Sequence, residues 1–223
     1  MIHAVILARG GSKTIKNKNL KKINGKPLVY WSIKDSLKSK TILKTWVSSD
    51  NEKILNYSKK IGANIILRPK KISGDKASSE SAWEHAIKII KKKYEATLII
   101  GIQPTSPIRD YFDFDRAVTK FNKNNYDSLF SANYIHDYNS WKIKGKNLVA
   151  NYNFKQRSRR QDIKNLILEN GSFYIFKPQK FLKNKNRLFG KIGFYLMQKY
   201  RGFQIDNLED VKFINAIFKT YIK

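Results

Sequence analysis

Arg9, Lys13 and Lys18 bracket a Gly-Gly turn in the segment ILARGGSKTIKNKNL (6–20), just after a short apolar run. Cations spaced around a turn with exposed backbone N–H groups suit an anion, and phosphate oxygens fit such a cradle. The spacing is neither that of a Walker A loop, GxxxxGK[ST], nor that of a dinucleotide fingerprint, GxGxxG. Loop lysines are as often solvated charge, so the local pattern leaves the anion open. In IQPTSPIR (102–109), Gln103, Thr105 and Ser106 offer an amide and two hydroxyls to a polyhydroxylated ligand. A rigid turn bonding its own backbone is the competing reading. Arg157, Arg159 and Arg160 crowd QRSRRQD (156–162), where guanidinium groups could fork a carboxylate or form a general polyanion patch. Asp206, in FQIDNLED (203–210), is an acid at an expected strand end in a chain with only 17 Asp and Glu. A hard cation such as Mg2+ takes one or two carboxylates alongside phosphate oxygens.

Something must hold these residues together, and the apolar pattern says what. HAVILA (3–8) reads as a buried strand, and residues 26–39 place Leu28, Val29, Trp31, Ile33 and Leu37 at helical spacing. Strands follow at 43–50, 64–69, 96–107 and 128–134, with helices between them at 51–62, 78–93 and 109–123. Ser78 and Ser79 stand where a helix N-cap is expected. This succession predicts an α/β domain with a doubly wound, mostly parallel sheet. Ligands in such sheets lie beyond the carboxyl ends of the strands, so 8–19, 48–50, 68–79 and 102–109 are the expected site segments. Residues 134–170 break the rhythm and read as an arm, with a β-hairpin. Residues 170–177 return to strand. Residues 203–222 read as a strand end, an acidic turn and a closing helix with Val211, Phe213, Ile214 and Phe218 inward. No internal repeat or disordered tail is expected.

The length of 223 residues fits a single domain, 1–223. The net charge of +28 would suit nucleic acid. However, the cations are mostly Lys, spread from end to end and accompanied by abundant Asn and Ile, as an AT-rich coding sequence produces. No specific nucleic-acid partner is expected, only weak polyanion binding at low salt. Cysteine is absent, which excludes disulfides and Cys-based zinc sites. His3, His85 and His136 lack metal-ligand spacing. No apolar run approaches a membrane span and residues 1–8 are too short for a signal peptide, so a cytoplasmic protein without a membrane partner is expected.

The fuller pattern A-R-x-x-S-K-x(4)-K-N-[LI] in LARGGSKTIKNKNL resembles the signature of the N-acylneuraminate cytidylyltransferase (CMP-sialic acid synthetase) family. VSSDNEKI (47–54), ILRPKKISGDKASS (66–79), IQPTSPIR (102–109), RRQD (159–162), ENGSFYIF (169–176) and FQIDNLED (203–210) resemble its later blocks in the same order. The resemblance implies a three-layer sheet like that of nucleotide-diphospho-sugar transferases, with a small dimerisation arm reaching the neighbouring subunit's site. It implies transfer of CMP from CTP to the anomeric hydroxyl of a nonulosonic acid of sialic, legionaminic or pseudaminic type. Mg2+ and a homodimer are implied with it, in surface polysaccharide biosynthesis.

Carried over residue by residue, Arg9, Lys18 and Asp206 would be catalytic, with Asp206 the metal ligand. Leu7, Ala8, Gly10, Gly11, Ser12, Lys13, Asn19, Arg68, Ala77 and Ser79 would join Arg9 and Lys18 around the nucleotide. Gln103, Thr105, Ser106, Arg160 and Asn170 would bind the acceptor. The chain departs from the pattern at Gln204, where many members carry an Asp, which leaves the number of metal ions open. The opening motif differs in form from that of ketodeoxyoctulosonate-activating enzymes. Two alternatives stay open: a nucleotidyltransferase with another nucleotide or acceptor, and a non-catalytic basic nucleic-acid-binding protein.

Overall fold

The computed structural model describes residues 1–135, 139–159 and 166–221. Its centre is a sheet of seven strands in the order β11-β7-β10-β6-β1-β4-β5. The strands are β1 (Ile2–Leu7), β4 (Lys44–Ser49), β5 (Asn64–Leu67), β6 (Leu98–Ile102), β7 (Ser128–Tyr134), β10 (Ile167–Phe176) and β11 (Ile192–Leu196). β1 pairs in parallel with β4 and β6, β4 with β5, and β11 with β7. β10 runs antiparallel between β6 and β7. The sheet is therefore mostly parallel, as expected, with one reversed strand.

Strand geometry sends successive side chains to opposite faces, and both faces are covered. Ala4, Ile6, Ile100, Ile102, Phe173 and Ile175 pack on one side with Val29 and Ile33 of α1 (Leu28–Lys38), Ile54 of α2 (Glu52–Lys60) and Phe114 and Phe121 of α4 (Tyr111–Lys123). Val5, Ile99, Tyr174 and Phe176 pack on the other with Trp83, Ile87 and Ile90 of α3 (Ser79–Lys91) and Phe181 of α5 (Pro178–Asn184). Phe114, Phe173, Phe176 and Phe181 are wholly buried, each contributing about 1.5–3 kcal/mol of apolar transfer.

A third cluster closes the site end. Ile15, Ile23, Leu28, Trp31, Ile108 and Ile205 meet Val211, Ile214, Ile217 and Phe218 of α6 (Leu208–Tyr221). Phe213, expected inward, is instead 49% exposed and meets Phe203 edge-on at 4.6 Å, while Ile217 takes the inward position. β6 ends at Ile102, before the Pro-containing turn in which the segment 96–107 was expected to end; residues 203–207 form no strand, and β11 and α5 are additional elements.

Two small sheets lie outside the main one. β2 (Lys22–Ile23) and β3 (Lys26–Pro27) form a hairpin behind the first loop. Within the expected arm, β8 (Trp141–Lys144) and β9 (Asn147–Ala150) pair antiparallel across a turn where Gly145 adopts φ +63°. Trp141, Ile143, Leu148 and Val149 of this hairpin are exposed.

Candidate active site

The loop after β1 is fastened to its neighbours before it reaches any ligand. Ala8 N donates to Ser48 O at 3.0 Å and Gly10 N to Asp50 Oδ1 at 2.8 Å. Asn51, next in the chain, caps α2 by accepting from the N–H groups of Lys53 and Ile54. A single 3-10 turn, Lys18–Leu20, then returns the chain, and buried Asn19 donates to Arg9 O at 2.9 Å. Arg9 and Lys18 are thereby both set along one concavity.

Lys18 is the more enclosed cation, with a side chain 13% exposed. Its Nζ donates to Ile205 O at 2.9 Å and stands 3.3 Å from Asp206 Oδ1. Asp206 is itself placed by Asp210, whose Oδ2 accepts from Asp206 N at 2.7 Å and Asn207 N at 2.9 Å. Arg9 Nη1 reaches Asp75 Oδ1 at 3.0 Å and Gly74 O at 3.2 Å, and Lys13 lies 3.6 Å from Asp75. Arg68 follows β5 and is 5% exposed, with Nε and Nη2 lacking any hydrogen-bond partner. Burial depresses its pKa, partly offset by Asp50. A buried guanidinium with idle donors is costly unless a ligand completes it.

The QPTSP turn is built around Arg109. This buried guanidinium donates to Gln103 O and Ser172 Oγ at 2.8 and 3.0 Å, to Ser32 Oγ at 2.8 Å, and to Ser106 O. Burial pushes its pKa down to about 10, against the favourable charges of Asp35 and Asp113. Ile205 N donates to Thr105 O at 2.8 Å, tying the turn to the segment that carries Asp206.

These segments enclose a cavity of about 310 Å³ beyond the carboxyl ends of β1, β5 and β6. Leu7, Arg9, Gly11, Ser12, Lys18, Asn19, Arg68, Ala77, Ser79, Gln103 and Thr105 all line it, so most of the sequence-derived set converges. Ala8 and Gly10 shape the loop behind the lining. Lys13 points outward with a side chain 73% exposed, and Asp206 meets the cavity through Lys18. Ser106 is wholly buried, its Oγ without a hydrogen-bond partner. Asn170 does not line the cavity: its Nδ2 donates to Asn133 Oδ1 at 2.8 Å and its Oδ1 accepts from Ser172 N at 3.0 Å. Arg160 lies outside the described residues. Ser78 both caps α3, accepting from Ser81 N, and lines the cavity.

Sequence reasoning passed over Asp50, Asp75 and Arg109. Arg109 had a signal, since it closes the IQPTSPIR motif; its burial depends on Ser32 and Ser172, which arrive from distant elements. Among the described residues no group of three or more His, Asp or Glu gathers to hold a metal. Asp206 is one carboxylate, 72% exposed, beside a cation at the cavity mouth. That donor set fits Mg2+ shared with phosphate oxygens rather than an all-protein site.

Three kinds of comparison agree with this geometry. The family model described as Cytidylyltransferase matches residues 3–221. N-acylneuraminate cytidylyltransferase A of Danio rerio is 35% identical over 92% of this chain and 48% of its own length. Pseudaminic acid cytidylyltransferase of Campylobacter jejuni is 28% identical over 97% of this chain and 95% of its own. The chain spans about half the length of the Danio rerio relative and of the Escherichia coli N-acylneuraminate cytidylyltransferase, which is 31% identical. In fold, it is similar to a CMP:2-keto-3-deoxy-manno-octonic acid synthetase complexed with CTP, with a TM-score of 0.71, 15% identity and 99% of both chains covered. It is also similar to 4-diphosphocytidyl-2C-methyl-D-erythritol synthase from Anaerococcus prevotii, with a TM-score of 0.69, 14% identity and 98% and 96% covered. A family match that runs through every lining segment of the cavity leaves one assignment: the chain belongs to the cytidylyltransferase family.

Proposed function

We propose that this chain transfers CMP from CTP to the anomeric hydroxyl of a nonulosonic acid. The acceptor oxygen bonds to the α-phosphorus, the bond from that phosphorus to the β-phosphate bridge breaks, and pyrophosphate leaves with release of the hydroxyl proton. The observation that carries the reading is the juxtaposition in one cavity of the Arg9–Lys18 turn, the unsatisfied Arg68 and the Gln103–Thr105 wall. Sialic and pseudaminic cytidylyltransferases among the relatives support the acceptor class.

Little covalent work falls to the protein in such a transfer; it aligns the groups and offsets growing charge. Arg9 and Lys18 take the phosphates, with Lys13 outside the lining left to swing in from solvent, and Lys18 meets the charge that develops on departing pyrophosphate. Asn19, Arg68, Ala77 and Ser79 hold the cytidine portion, with the idle donors of Arg68 completed by ligand oxygens. Gln103 and Thr105 face the acceptor, while Ser106 and Asn170 hold the shape of that wall. Asp206 would hold Mg2+, which when bound neutralises charge on the triphosphate. The exposed apolar hairpin of β8 and β9 suits a homodimer, through which Arg160 would reach a neighbour's acceptor. A cytoplasmic setting is part of this proposal, and among the described residues no helix is long and apolar enough to cross a membrane.

Lys18→Ala tests the assignment. Loss of one charge-matched donor at a developing anion should lower kcat roughly 10²–10³-fold. The variant should remain folded, since Lys18 makes one carbonyl bond, to Ile205, and one ion pair to the exposed Asp206. Retained turnover would remove Lys18 from the mechanism.

A further inference from the structure

Arg187 lies between α5 and β11, outside every motif that marks the site. Its guanidinium stands 4.7 Å from the ring centroids of both Trp83 and Tyr174. Nε and Nη2 each lie 2.7 Å from Glu80 Oε1, and Glu80 adjoins the cavity-lining Ser79. Two aromatic faces and a carboxylate thus fix the plane of the fork, leaving Nη1 directed at Gln103.

The Gln103 amide is bracketed by groups of opposite hydrogen-bonding character. Its oxygen accepts from Arg187 Nη1 at 3.3 Å and its nitrogen donates to Gly171 O at 3.2 Å, the orientation the network assigns. A guanidinium can only donate and a carbonyl can only accept, so the pair decides which end of the amide is which. The backbone at Gly171 is closely packed. Gly171 adopts φ +67°, a Cβ there would stand 2.9 Å from Gln204 Nε2, and that nitrogen donates to Asn170 O at 2.8 Å. Without Arg187, the Gly171 carbonyl alone would select the amide orientation, and the amide oxygen would lose its donor.

We infer that Arg187 is a positioning residue for the acceptor, locking the Gln103 amide so that its remaining N–H is presented to the acceptor's carboxylate and hydroxyl oxygens. The inference rests on the cytidylyltransferase reading of the site. A cation bonded to the amide oxygen also polarises the amide, which strengthens its N–H as a donor. Arg187 touches neither the Arg9–Lys18 turn nor Arg68, and its one link toward the nucleotide side is Glu80, the neighbour of Ser79.

The test is a double-mutant cycle on the full chain, with Arg187→Met, Gln103→Met and the pair, reading KM for acceptor and for CTP separately with a nonulosonic acid. Arg187→Met should raise acceptor KM about tenfold, the scale of one charge-assisted hydrogen bond, and leave CTP KM within about twofold. The double variant should be no worse than Gln103→Met alone. Arg187→Lys, which keeps a donor for Gln103, should restore part of the loss and carries the test if the Met variant fails to fold. Additive losses, or a matching rise in CTP KM, would overturn the inference while turnover by the parent chain upheld the cytidylyltransferase reading. A parent chain that releases no pyrophosphate with any nonulosonic acid would overturn both.

Discussion

A methyl group on Gly10 would stand 2.8 Å from Asn51 Cβ, whereas one on Gly11 meets nothing within 4 Å. Asn51 cannot retreat, because its side chain caps α2 and its neighbour Asp50 holds Gly10 N. Gly10→Ala should therefore cost about 1–3 kcal/mol, as overpacking does. Gly11→Ala should stay within about 0.5 kcal/mol. Urea unfolding of the two variants checks this, and equal costs would mean that the turn yields at both positions. Residue chemistry was legible where type, place and the longer pattern coincide: cations on a Gly-Gly turn left the anion open by themselves, and the fuller motif with its place after β1 pointed to phosphate. It was illegible where a side chain's partners come from elsewhere in the chain. Arg109 closes the IQPTSPIR motif, yet its burial is not written there: Ser32, Ser172 and two carbonyls of its own turn surround it. Asn170 reads as a ligand beside a glycine, yet neighbouring strands use up its amide.

At the scale of elements, periodicity identified each main-sheet strand and each α-helix of the first 134 residues to within a few positions, because buried parallel strands are continuous apolar runs, but it missed the two-residue strands β2 and β3. Direction carries no such signal, so the reversal of β10 was not visible. α5 is short and begins at proline, and β11 is half-exposed at the sheet edge, which leaves neither with a clear apolar stripe. Asp127 secures that less legible end. Its carboxylate accepts from Lys180 and Lys177 side chains at 2.6 and 3.0 Å and from Lys191 N at 3.1 Å. These bonds hold its pKa well below the ordinary carboxylate range. The folded form thus releases the proton more readily than the unfolded chain, whose Asp titrates near about 3.9. The contribution is complete above that pH and lost as pH falls through the folded value. Asp127→Asn should lower the melting temperature at pH 7, and the gap to the parent should narrow below about pH 4. A gap that stays constant from pH 7 to pH 2.5 would show that the carboxylate's charge is not what matters.

The whole molecule combines a small concave site with a net charge of +28, and the two need not share a purpose. Charge spread from end to end of the chain favours polyanions generally, whereas the cavity beyond the ends of β1, β5 and β6 gathers Arg9, Lys18 and Arg68. The first is a property of composition; the second requires the fold. What separates an enzyme from a basic binding protein is therefore chemistry with a defined acceptor, not affinity. The most direct measurement is pyrophosphate release from CTP and Mg2+ against neuraminic, legionaminic and pseudaminic acids, with ketodeoxyoctulosonate as a comparison. The account predicts release with a nine-carbon acid, lost in Lys18→Ala. Silence with all of them from folded protein, or release only with ketodeoxyoctulosonate, would contradict it.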